Sequence, residues 1–200
     1  MHIRRMSVAA ASAVALFALP GAVHAACLPP VSPVFSTFGD AGLYFPVANS
    51  GFEAGSTSWA LTGGAAVVAG DATPFIGAST DSHSLSLPAG SSATSAGFCV
   101  DPTAPTMRFM VRNTANVSSK LALDVFFTTV TGKTAAAQVA TFKAASAWAP
   151  APVTVYYANL LALLPTSGGT TTISFRFRPL DSTGAWSVDD VYVDPHKRCC

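Results

Sequence analysis

Few side chains in this chain could do chemistry, and they are unevenly placed. Two carboxylates stand side by side in Trp186-Ser187-Val188-Asp189-Asp190-Val191-Tyr192-Val193, close to the C-terminus. The one glutamate of the chain, Glu53, lies in Asn49-Ser50-Gly51-Phe52-Glu53. A glycosidase needs two placed carboxylates, and a single glutamate makes that a poor fit. There is no G-x-S-x-G elbow, no HExxH pair and no glycine-rich loop leading into a helix. His83, between Ser82 and Ser84, reads as a hydrogen-bonded core or edge residue rather than a base. The expectation is a protein without catalysis.

The arginines form a second pattern. Arg108, Arg112, Arg176 and Arg178 fall on the outward positions of two expected strands. If those strands share a sheet, the four arginines form one face with Met110, Asp124 and Phe126. Planar guanidinium groups suit carboxylates and phosphates, so such a face would bind an acidic glycan or wall polymer. A solubilising surface of ion pairs is the alternative. Tyr44, Trp148 and Tyr156 are the aromatic candidates for a ligand platform, whereas Trp59 and Trp186 read as core.

These residues must be positioned by strands. Met107, Phe109 and Val111 alternate with Arg108, Met110 and Arg112. Leu121, Leu123, Val125 and Phe127 alternate with Ala122, Asp124, Phe126 and Thr128, and Ile173, Phe175 and Phe177 with Ser174, Arg176 and Arg178. Thr131-Gly132-Lys133 is a hairpin turn. Shorter strands are expected at 59–61, 65–69, 83–87, 93–100, 138–143 and 153–157, and one helical turn at 160–164. Around Asp189-Asp190 the alternation shifts parity: Trp186 and Val188 share one, Val191 and Val193 the other. Either both faces are covered there or a β-bulge re-aims the carboxylates. A buried carboxylate needs a partner: an arginine, backbone N–H groups or a cation. Many short strands with no long 3.6-residue period predict an all-β, two-sheet antiparallel sandwich.

The order of motifs (Gly51-Phe52-Glu53, then Trp59, then Leu85-Ser86-Leu87, then Trp186-Ser187-Val188-Asp189-Asp190-Val191) resembles the galactose-binding-like jelly roll of secreted bacterial carbohydrate-binding modules. The similarity spans about residues 36–195. It implies first and last strands that meet, and a structural Ca²⁺ held there by Glu53 with Asp189 or Asp190, to which Asp71 or Asp81 adds a ligand. Oxygen-only donors suit that cation. The alternative is a pair of hydrogen-bonded aspartates at a strand bend. The function implied is non-catalytic binding of carbohydrate or a cell-wall polymer; a structural or surface-interaction protein with no sugar site is the other reading.

Composition bounds the rest. The 200 residues are 50% hydrophobic and only 10% charged, enough apolar matter for one domain and too little charge for a disordered chain. Arg4-Arg5, the apolar run Ser7 to Leu19 and the small residues Val23-His24-Ala25 form an expected signal peptide over 1–25, which makes the protein secreted, either extracellular or wall-associated. A Pro-rich arm (26–35), the sandwich (36–195) and a short tail (196–200) follow. Without Arg4 and Arg5 the chain is near neutral, which argues against nucleic acid or anionic membrane as partner. Export makes disulfides feasible for Cys27, Cys99, Cys199 and Cys200. Cys27–Cys99 is the favoured pair, adding roughly 4 kcal/mol by chain entropy; Cys27 with Cys199 or Cys200 is its rival.

Overall fold

A computed structural model describes residues 29–129, 131–156 and 170–195. The strands are β1 (Phe45–Pro46), β2 (Trp59–Thr62), β3 (Ala66–Ala69), β4 (His83–Pro88), β5 (Ser92–Ser95), β6 (Phe98–Val100), β7 (Thr106–Asn113), β8 (Leu121–Thr128), β9 (Thr134–Phe142), β10 (Ala149–Pro150), β11 (Thr154–Val155), β12 (Thr171–Pro179) and β13 (Ala185–Asp194). One short 3₁₀ turn, Ser36–Phe38, precedes them. The expected signal peptide, the helical turn at 160–164 and the tail lie outside the described residues. No described helix is long and apolar enough to cross a membrane.

The strands form two antiparallel sheets. Sheet 1 runs β10-β7-β13-β4-β3, with β11 also on β7 and β1 also on β13; sheet 2 runs β2-β5-β12-β8-β9, with β6 also on β12. From β4 on, the chain passes back and forth between the sheets, which is jelly-roll connectivity. The first and last strands pair, with Phe45 opposite Val193 and Pro46 opposite Tyr192; the strand that pairs precedes residues 49–53, which form turns rather than the opening strand.

Alternation places the core between the sheets. Leu85, Leu87, Phe109, Val125, Phe175, Phe177, Trp186 and Val188 are all essentially inaccessible and belong to one apolar cluster. Each such side chain contributes about 1.5–3 kcal/mol relative to exposure. Phe109 meets Phe142 and Phe177 at ring separations of 4.9 and 4.8 Å. Trp59 and Trp186 are core residues, as read from the sequence. The Trp59 indole also donates to the Ala48 and Asn49 carbonyls, and Phe52 packs on it at 5.0 Å. The Gly-Phe-Glu…Trp spacing therefore locks the loop that enters the sandwich.

A second, smaller cluster holds Phe35, Tyr44, Ala72, Ile76, Met110 and Tyr192. Met110 and Tyr192 alternate with core residues of β7 and β13, so this cluster lies on the outer face of sheet 1. The N-terminal arm and the loop before β4 fold over that face and cover it. Tyr44 bridges back to Ser32.

Candidate functional site

Two places gather polar side chains. The first is the bulge in β13. Its pairing with β7 is regular from Trp186 to Asp189 and resumes at Tyr192 after a register shift. Asp190 takes a left-handed conformation, φ 52°. The shift returns Val191 and Val193 to the core and leaves Asp189 and Asp190 buried with their carboxylates beside the loop before β4. The backbone of 47–50 closes the corner: Val47 N–H donates to Val191 O, and Val191 N–H to Ser50 O.

Asp71, Asp189 and Asp190 each bring an oxygen within 4.8 Å of the others. Asp189 Oδ2 accepts from Ala72 N–H at 3.0 Å, and its Oδ1 from Asp190 N–H at 2.9 Å. Asp81 Oδ2 accepts from Ala78 N–H at 2.8 Å. Asp81 and Asp190 line an open cavity of about 340 Å³ together with Ser50, Gly51, Glu53 and Gly77. A Cβ on Gly77 would meet Asp81 Oδ2, so a larger residue there would displace this carboxylate from its place against the backbone. Burial, the hydrogen bond to Asp71 and the charge of Asp190 together push the Asp189 carboxyl far above the carboxylate range. Burial and the charges of Asp71, Asp81 and Glu53 push Asp190 up to about 7. Among the described residues no arginine or lysine pairs with these aspartates. Such a group of oxygen donors has the chemistry a hard divalent cation takes, and equally that of carboxyls sharing protons through hydrogen bonds.

Glu53 departs from its expected role. Oε1 accepts from the backbone N–H groups of Ser82 and His83 at 2.8 and 2.6 Å, and Oε2 lies 3.1 Å from His83 Nδ1. Its oxygens pin the start of β4 and stand outside the three-aspartate group, where Asp71 takes the place expected of it. His83 is an edge residue clamped by Glu53, not a core one.

The second place is the outer face of sheet 2, and here the expected arginine face is corrected. β7 and β12 belong to different sheets, so Arg108 and Arg112 lie on one side of the molecule and Arg176 and Arg178 on the other. Arg108 donates to Asp40 at 2.6 Å and to the Ala151 carbonyl at 2.8 Å, beneath the arm. Arg112 lies over the Trp148 ring at 4.6 Å. Tyr44 is fully buried with its hydroxyl on Asp40, and Tyr156 is fully buried with its hydroxyl on the Ala104 carbonyl. Neither tyrosine is a ligand platform. Trp148 is half-buried against the second cluster.

On sheet 2, Arg176 stands opposite Asp124 in register and Ser174 opposite Phe126. Asp124 is 4% exposed and receives Arg176 Nη2 at 2.7 Å and Arg178 Nε at 2.7 Å; the two arginines are 31% and 33% exposed. Arg178 Nη2 also donates to Gln138 Oε1 at 2.9 Å. Arg176 lies 4.7 Å from the centre of the half-exposed Phe126 ring. Burial would raise Asp124, yet both arginines hold its carboxyl below the usual range. Thr94 on β5 and Ala136 on β9 flank this group with small side chains. Gln138 had no signal in the sequence beyond its outward position on a weak strand.

Cys99 on β6 faces the same side, opposite Thr172. It is not a free thiol; Cys27, Cys199 and Cys200 lie outside the described residues, so the pairing Cys27–Cys99 does too.

No family model matches the chain, and no curated protein matches it. Among solved structures, its structural neighbours are carbohydrate-binding modules. A CBM22 xylan-binding domain from Paenibacillus barcinonensis is 18% identical, with a TM-score of 0.47 over 72% of this chain and 90% of that one. A CBM61 module solved with β-1,4-galactotriose is 17% identical, with a TM-score of 0.41 over 76% and 97%. The CBM22–GH10 portion of a Clostridium thermocellum xylanase, solved with xylohexaose, is 14% identical at 0.48, and this chain spans 28% of it.

Proposed function

We propose that the chain is an exported, non-catalytic module that binds polysaccharide on the outer face of sheet 2 and holds one Ca²⁺ at the acidic corner. The observation that carries the reading is the Phe126–Arg176–Asp124–Arg178 group. A pyranose presents one apolar face and a rim of hydroxyls. Phe126 supplies a half-exposed ring, one face of which carries the Arg176 guanidinium, for the first, while the anchored guanidinium groups, Gln138 and nearby hydroxyls answer the second. Small neighbours on β5 and β9 leave room for a chain to lie across the strands.

Three further observations support it. Glu53 is engaged by backbone N–H groups, and the aspartates gather in one corner rather than across a cleft, which suits a protein without hydrolysis. The expected signal peptide and a bonded Cys99 suit an oxidising, extracellular setting; Cys27 is its expected partner, tying the arm to sheet 2. At the corner, Asp71, Asp189 and Asp190 would be the ligands, with Asp81 beside them, and the cation would neutralise the Asp189 and Asp190 carboxylates, whose ionisation burial opposes.

Affinity electrophoresis through gels loaded with soluble plant and microbial polysaccharides tests the reading. The wild-type protein is retarded by at least one of them, and Phe126→Ala migrates as in an empty gel while staying folded, with a melting temperature within a few degrees of wild type. Retardation that survives Phe126→Ala would overturn the assignment of this face.

A further inference from the structure

We infer that the ligand of this face carries carboxylate groups, so that the polysaccharide is a polyuronate. The inference rests on the polysaccharide reading above and adds the chemical class.

Charge is the first argument. Two guanidinium groups share one carboxylate, Asp124, and no other salt bridge reaches either arginine among the described residues. The group therefore keeps one uncompensated positive charge. The vertical order matters as well: Asp124 lies at the floor, almost inaccessible, while both arginines are about a third exposed above it. The anion is beneath and the cations face outward. A neutral sugar would leave that charge as it is; a carboxylate would complete it.

Geometry is the second argument. Arg176 directs Nε and Nη2 at Asp124 Oδ2, and Arg178 directs Nε and Nη2 at the two Asp124 oxygens. Each guanidinium thus spends one edge on Asp124 and keeps its Nη1 donors for a second partner. A planar group held at one edge is pre-aimed at the other, so little side-chain freedom is lost when an anion binds. The Phe126 ring against Arg176 fixes the plane further, and the half-exposed remainder of that ring adds apolar surface beside the guanidinium. Arg108 shows the other use of the residue: it is paired one-to-one with Asp40, caps a carbonyl and is 14% exposed.

The test uses the mature protein with oligomers of galacturonate, of alginate and of glucuronate-bearing xylan, each against its carboxyl-reduced, neutral counterpart, by calorimetric titration near neutral pH. At least one uronate oligomer binds about tenfold or more tightly than its reduced form, and added salt weakens it. Arg176→Lys keeps the charge and the fold but lowers that affinity about tenfold, because the fork is lost. Equal binding of acidic and reduced forms, or wild-type affinity in Arg176→Lys, would overturn the inference. If neutral oligomers bind and Phe126→Ala abolishes it, the uronate class falls and the polysaccharide site stands. If no polysaccharide of any kind binds, both fall.

Discussion

On sheet 1, Arg108 lies over the Phe35 ring at 5.1 Å and is bonded to Asp40. On sheet 2, Arg176 lies over the Phe126 ring at 4.7 Å and is bonded to Asp124. The residue types match; the surroundings do not. Phe35, at the end of the arm, is fully buried against sheet 1 with Tyr44 and Tyr192, so its arginine completes a second hydrophobic layer and satisfies the polar groups inside it. Phe126 has no arm above it among the described residues, and its arginine stands between a buried anion and solvent. An aromatic–arginine–aspartate set is thus buried where chain covers it and partly open to solvent where chain does not.

The largest expected effect tests that difference directly. Phe35→Ala removes a fully buried ring and should cost about 3–5 kcal/mol, whereas Phe126→Ala removes a half-exposed one and should cost about 1 kcal/mol or less. Urea denaturation of the two variants measures both. Equal losses would mean that the two faces are alike and that sheet 2 is as covered as sheet 1.

Much of this comparison was legible in the sequence, and its boundary has a physical reason. Alternation is local, so the inward and outward sets of β7, β8 and β12 followed from period two. The parity change at Asp189-Asp190 left two readings, a bulge or a strand covered on both faces, and both hold: the register shifts there and the strand is buried on either side. Sheet membership is not local. Nothing between Arg112 and Arg176 tells which sheet either strand joins, and the single arginine face divided in two for that reason. The same holds for Tyr44, whose burial depends on an arm folding back over β7. Asp189 meets the Ala72 amide 117 residues away in the chain, a contact that no periodicity encodes. The Asp-Asp pair could be read as needing a partner; that Glu53 would turn to the β4 backbone could not.

The next effect concerns what holds the cover of sheet 1 in place. Asp189 ties the Ala72 amide to β13, and Ala72 and Ile76 belong to the covering cluster. Without a cation, Asp189 and Asp190 bind protons more tightly when folded than when unfolded, Asp190 with a value of about 7. Their contribution is complete below the unfolded value of about 4 and is lost as pH rises through the folded values. In EDTA the protein should therefore melt at a falling temperature from about pH 4 through about pH 7, where Asp190 ionises, and on toward about pH 10, where Asp189 does. Excess Ca²⁺ should reverse the loss at neutral pH, by about 2.7 kcal/mol at one hundred times its Kd. Asp190→Asn should flatten the EDTA profile and lower the calcium response. Hydrogen exchange sharpens the point: chelation should expose the Ala72 and Val47 amides while those of β12 stay protected. A flat EDTA profile with no response to Ca²⁺ would leave the aspartates as hydrogen-bonded residues of a bend.

The smallest effect separates the two arginines themselves. Burial raises the Asp40 carboxyl, while Tyr44, the Gly42 amide and Arg108 outweigh it and hold it below the ordinary range. Arg108→Ala removes two of the charge-assisted bonds of this group and leaves Asp40 and the Ala151 carbonyl short of a donor, a cost of about 1.5–3 kcal/mol. Part of that stability depends on ionised Asp40, so it is present above the unfolded carboxylate value and disappears as pH falls through the lowered one. The gap between wild type and Arg108→Ala should accordingly narrow in acid. Arg176→Ala leaves Asp124 still paired with Arg178 through two hydrogen bonds, and should cost under about 1 kcal/mol. The cheaper arginine is the one whose loss should remove binding. If Arg176→Ala destabilised the fold as much as Arg108→Ala does, its outward edge would have to be doing structural work, and the face of sheet 2 would be a second, uncovered copy of the first.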